Sequence, residues 1–184
     1  MNNGKNIICV FIIIFIVINI GYASEFKAKQ PIVITSAGQS ADCIMVKILA
    51  QKSGLKFTFD KLAKNETLEG NSSLIIVSGG SLKGLGAANI DKDQEMARVQ
   101  DLIQAAKAMK LRIITMHVGG QDRRGKLSDA FNTVAAENAD CLIVVKGGNQ
   151  DQLFSEIAEK KKIPIFLIDK TLEAGDVIKS IFND

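Results

Sequence analysis

The sequence predicts a three-layer α/β/α domain, flavodoxin-like or Rossmann-like, on a mainly parallel sheet of five to six strands. Two observations carry this. Four short, β-branched apolar runs, residues 32–35, 74–77, 111–116 and 141–145, each empty into a loop rich in Gly, Ser or both. Each loop then leads towards a helical pattern, and strand followed by helix over short connections specifies right-handed parallel crossovers with helices on both faces.

The elements follow in order. Residues 24–30 are a polar lead-in, and Pro31 starts the first strand. Ser40 stands where it can cap a helix over 41–52, with Ile44, Met45, Ile48 and Leu49 at helical spacing and Gly54 as its stop. Residues 55–60 alternate Leu, Phe and Phe with polar residues, as a short strand at a sheet margin does. A polar stretch over 61–73 has room for one helical turn. After strand 74–77 comes a long glycine-rich loop, 78–89, a candidate lid. Asp91 caps a helix to about residue 110 with Met96, Val99, Leu102, Ile103 and Ala106 in one stripe. Strand 111–118 leads to a helix over 127–138, and strand 141–145 to one over 151–161. Residues 163–168 form the last strand, and Thr171 caps a closing helix that ends near Phe182. The half-polar second strand belongs outside the first, so the expected order is 2-1-3-4-5-6. The chain then reverses direction between strands one and three, where such sheets bind ligands.

Residues 1–23 stand apart from this domain. Lys5 gives a basic start, residues 7–20 are almost wholly apolar, and Gly21-Tyr22-Ala23 offers small residues for cleavage. The segment reads as a secretory signal, since its apolar run falls short of the ~20 residues that span a bilayer. A retained anchor is the competing reading. The expected product is an exported single domain over 31–184, periplasmic or extracellular, with no stable membrane insertion. Without Lys5, 22 basic residues face 20 acidic ones, which excludes a general electrostatic case for nucleic acid. Cys43 and Cys141 fall too far apart in the predicted fold to pair and are expected to be buried thiols. Two cysteines and one histidine do not make a metal site.

The loops hold the candidate site. Ser36, Gly38, Gln39 and Ser40 place hydroxyls and free amides at a helix start, a geometry suited to phosphate or carboxylate. Ser78, Gly79, Gly80, Ser81, Lys83 and Gly84 form a longer small-residue loop with a cation. It lacks the Gly-Lys-Ser/Thr ending of a P-loop, and Gly84 to Asn89 only faintly matches a dinucleotide fingerprint, so no cofactor is expected. His117, Gly119 and Gly120 close the third run, Arg124 follows, and Lys146 ends the fourth.

At Ile34-Thr35-Ser36-Ala37-Gly38-Gln39-Ser40, Gly79 to Ala88, His117-Val118-Gly119-Gly120, Arg123-Arg124-Gly125 and Val144-Val145-Lys146, the chain resembles an uncharacterised family. Its members are small exported bacterial proteins with a signal peptide and one α/β domain of unknown function. The resemblance implies that these loops form a site and supplies no reaction.

The first expectation is therefore a binding protein. It would hold a small polar, anionic molecule at the strand-exit edge and hand it to a membrane transport protein. Ser36, Gln39 and Ser40 would donate, Gly79, Gly80 and Ser81 would offer amides, and Lys83, His117 and Arg124 would balance charge. The alternative is a hydrolase or transferase acting on an ester or phosphate, with Ser36 as nucleophile or His117 as base. A scaffold whose glycines merely turn the chain is the third.

Overall fold

The computed structural model describes residues 26–182. Six strands, β1 (Ile32–Ala37), β2 (Phe57–Phe59), β3 (Ser73–Ser78), β4 (Arg112–His117), β5 (Cys141–Val145) and β6 (Ile165–Ile168), form one sheet. Every pairing is parallel and the order is β2-β1-β3-β4-β5-β6, so the three-layer expectation holds with its switch point between β1 and β3. The helices are α1 (Asp42–Lys52), α2 (Leu82–Ala87), α3 (Lys92–Ala108), α4 (Lys126–Glu137), α5 (Leu153–Lys161) and α6 (Ala174–Phe182). The expected signal over 1–23 lies outside the described residues. Among the described residues no helix is long and apolar enough to cross a membrane.

Side-chain alternation along the strands divides the core. Ile32, Ile34, Ile75, Val77, Ile114 and Met116 pack on one face beneath α1 and α6. Val33, Ala37, Leu74, Ile76 and Ile113 pack on the other beneath α3 and α4. Cys43 and Cys141 are buried and unpaired, as expected. Burial pushes both thiols up, Cys141 to about 12, which makes them poor nucleophiles.

Four local expectations are corrected. Helix α1 buries Cys43, Val46, Leu49 and Ala50, and leaves Ile44, Met45 and Ile48 at the surface. Ser40 is not its cap: Ala41 holds that position without a side-chain bond, and Ser40 Oγ donates to Asp42 Oδ2 at 2.9 Å. The 78–89 lid is instead a short helix, α2, capped by Ser81 Oγ, which accepts from the Gly84 amide at 3.0 Å. The cap expected at Asp91 holds, as a full capping box with Gln94 at the start of α3, whereas the one expected at Thr171 does not. Thr171 opens a single turn before α6, and its hydroxyl donates to the Val118 carbonyl.

The inverted face of α1 is testable between adjacent residues. Leu49→Ala is expected to cost about 2–5 kcal/mol in urea unfolding, and Ile48→Ala no more than ~0.5 kcal/mol. Equal losses would contradict the orientation.

Candidate functional site

The four glycine-rich loops do converge on the strand-exit edge, and they do so by bonding to one another. Gln39 and Gly80 form an isolated antiparallel bridge between the first two loops. The Ser40 amide donates to the Gly79 carbonyl at 3.2 Å, and the Ser81 amide to the Gly38 carbonyl at 2.8 Å. The Gly79 amide returns to the Ala37 carbonyl, and the Gly80 amide reaches Ser128 Oγ on α4 at 3.0 Å. Gly38, at φ +95°, allows this approach, because a Cβ there would stand 2.7 Å from the Gly79 carbonyl oxygen.

Two further donors, the Gly38 amide and the Gln39 side chain, meet a group that the sequence reading did not select. Glu95, in the first turn of α3, is wholly buried. Its Oε1 accepts from the Gly38 amide at 3.0 Å, from Gln39 Nε2 at 2.9 Å and from Arg98 Nη2 at 2.9 Å. Its Oε2 accepts from Arg98 Nε at 2.8 Å. Arg98 continues to the carbonyls of Ala63 and Ser36, and Gln39 Nε2 also donates to the Lys61 carbonyl. Two of the donors expected for an anionic ligand, the Gly38 amide and the Gln39 side chain, are thus already bonded to a carboxylate of the protein itself. Its signal is present in the sequence, since Glu95 stands four residues before Val99 and seven before Leu102, on the apolar stripe of α3.

A second clamp joins the third and fourth loops. The Arg124 side chain, 8% exposed, meets Asp129 Oδ1 at 2.7 Å and Asp151 Oδ2 at 2.7 Å, and donates to the Gly148 carbonyl. Its hydrogen bonds hold the Asp151 carboxyl down at about 2. Lys146 pairs with Asp169 at 2.8 Å, and Arg123 with Asp42 at 3.0 Å. Arg124 and Lys146, expected to balance a ligand's charge, therefore already have carboxylate partners; Lys83 is exposed on α2.

The two candidate reactive groups are separated. Ser36 falls on the α1 face of β1, where its buried hydroxyl lies beside Cys43 and has no hydrogen-bond partner. His117 falls on the opposite face of β4, and its ring packs on Phe154 of α5 at 4.8 Å. Its Nε2 lies 3.1 Å from the Gly120 carbonyl. Gly148 must lack a Cβ, because one would collide with the imidazole. Burial lowers the pKa of His117 below 6.5, and Arg124 adds to this, against the hydrogen bond to the Gly120 carbonyl. Gly119 and Gly120 form the turn against which Arg123 and His117 rest. Ser128, Asn132 and Phe154 are further residues of this region that the sequence reading passed over, each a buried position on α4 or α5.

These features define a class: a doubly wound parallel α/β domain whose strand-exit rim is closed by its own acid and guanidinium groups. The chain belongs to the family described as Domain of unknown function (DUF6305), whose model matches residues 29–182. No curated protein matches it. Among solved structures it is similar to a GDSL-like lipase from Bacteroides thetaiotaomicron, at 13% identity and a TM-score of 0.33, over 74% of this chain and 66% of that one. It is also similar to a variant of the esterase AlinE4, at 11% identity and a TM-score of 0.32, over 82% of this chain and 79% of that one. Likenesses this distant transfer no site.

Two outcomes follow. Glu95→Gln keeps the shape of the side chain but leaves the Arg98 guanidinium without its counter-charge, and is expected to cost about 3–5 kcal/mol in denaturant unfolding. His117 is the only histidine, so its ring resonances read its titration directly. The midpoint is expected below 6.5, and because the unfolded chain takes up the proton first, stability should fall as pH drops from about 6.5 towards 5. A midpoint at or above 6.5 would contradict the desolvated site.

Proposed function

We propose that this chain is an exported binding module that performs no chemistry at its strand-exit rim. The observation that carries the reading is the placement of Ser36 and His117 on opposite faces of the sheet. A nucleophile and its base must approach within about 2.6–3.2 Å. Ser36 and His117 stand on strands separated by β3, roughly 9–10 Å apart at strand spacing, and their side chains diverge from there. Both are fully buried, so an ester or phosphate would have to open the sheet edge to reach either.

The same geometry relocates the binding expectation. The rim amides and the Gln39 side chain that would have held an anion are hydrogen-bonded to Glu95, Ser128 and neighbouring carbonyls, so a guest there would have to displace them. Binding is then a property of the outer surface of a rigid domain. Export is supported by the basic start, apolar run and small residues of the first 23 positions, and a membrane transport protein fits as the recipient of whatever is carried.

Turnover of p-nitrophenyl acetate and p-nitrophenyl phosphate tests the reading. The protein and its Ser36→Ala variant are both expected at the buffer rate. Hydrolysis that disappears in Ser36→Ala would overturn it in favour of the hydrolase.

A further inference from the structure

The edge opposite the closed rim, where the strands begin, has the reverse electrostatics. Two cavities of about 430 and 450 Å³ open there side by side and share Lys110, Leu111 and Arg112 as the ridge between them. One is lined by Lys27 and Lys29 from the lead-in, together with Ser72 just before β3. The other adds Lys107 from α3 and Asp140 just before β5. Five cationic side chains thus border two adjoining hollows, and Asp140 is the one acid among the lining residues.

Asp140 neutralises little of this charge. Its Oδ2 accepts from the Ile113 amide at 2.9 Å, and its Oδ1 stands 4.0 Å from Arg112. Lys107 donates to Asn138 Oδ1, Lys27 to the Ser180 carbonyl at 3.1 Å, and Arg112 lies over the Phe26 ring. Asn138 is neutral, so the charge of Lys107 remains uncompensated, and Arg112 has only the distant Asp140 carboxylate. Among the described residues, Lys29 and Lys110 have no side-chain partner and both are exposed. Each hollow lies at the small end of the range for ligand sites, roughly 300–1,000 Å³. No aromatic ring lines either one, so nothing is provided for stacking a base.

We propose that this edge binds a compact oligophosphate, with one phosphoryl group in each hollow and the Lys110–Arg112 ridge between them. Convergent cations on a concave surface raise the local concentration of such an anion, while a singly charged ion engages only one half. The proposal rests on the non-catalytic reading only in taking binding as the chain's activity. A failed phosphate titration would leave the hydrolysis result of the preceding section untouched.

The probe is sodium tripolyphosphate, titrated into the isotope-labelled protein at constant ionic strength and followed by amide resonances. Saturable shifts are expected at residues 27–29, 72, 107–112 and 140. The affinity should drop at least roughly tenfold in Lys29→Gln/Lys110→Gln, whose exposed side chains make no contact that the fold needs. Lys83→Gln/Lys146→Gln, at the opposite edge, should leave it unchanged. Phosphate carried by a lipid is the other source of this chemistry, and phosphatidylglycerol vesicles at the same ionic strength are expected to float free of protein. The proposal is overturned by absence of saturation, by shifts confined to the strand-exit loops, or by vesicle binding that requires Lys29 and Lys110 where tripolyphosphate does not bind.

Discussion

The constraint on which the closed rim depends is the buried carboxylate of Glu95. A charged carboxyl in an apolar interior is tolerated only when each oxygen is satisfied and a counter-charge stands beside it. Here the counter-charge is Arg98, and the neutral donors are the Gly38 amide and the Gln39 side chain. That requirement dictates the course of the chain at the switch point. Gln39 takes a left-handed φ of 60°, unusual for a residue with a side chain, and is held there by its bonds to Glu95 and to the Lys61 carbonyl. The crevice that doubly wound sheets offer to ligands is filled from within by the first turn of α3.

Arg124 repeats the arrangement on the other half of the rim. Its guanidinium joins Asp129 in α4 to Asp151 just before α5, and its bond to the Gly148 carbonyl holds that loop against His117. The guanidinium is buried while Asp129 is a third exposed, so that arm of the clamp is screened less by salt than a surface pair, whereas the Asp151 arm, its carboxylate 60% exposed, faces solvent. Arg123 and Asp42 then tie the two halves together across the start of α1. A rim cross-linked in this way lacks the weakly bonded loop from which lids are drawn.

How much of this was legible follows from what each residue pattern encodes. Strand order was readable because β-branched runs, half-polar Leu55–Asp60 and turn residues constrain pairing directly. The convergence of the loops was readable for the same reason, but their partner was not. A glycine announces that some atom comes close to the backbone, and the sequence does not say whether that atom belongs to a ligand or to the chain. At Gly38 it is the Gly79 carbonyl, and at Gly148 the His117 ring. In α1, apolar residues run nearly all round the helix, so periodicity could not choose between the Ile44 and Val46 faces. In α2, Gly84 and Gly86 disguised a helix as a loop, because intrinsic propensity there opposes the conformation that Ser81 caps.

A net charge near zero concealed the most useful contrast in the molecule. Arg98, Arg123, Arg124 and Lys146 each meet a carboxylate, so the strand-exit edge neutralises its main cations locally. Lys29, Lys107 and Lys110 do not, and with Arg112 they gather where β1, β3 and β4 begin. At physiological salt a charge is felt over about 8 Å, so compensation at one edge does not cancel an excess at the other. Glycine content pointed to the edge where the backbone crowds upon itself. Pairing, which only coordinates supply, points to the edge where positive charge is left for something else to meet.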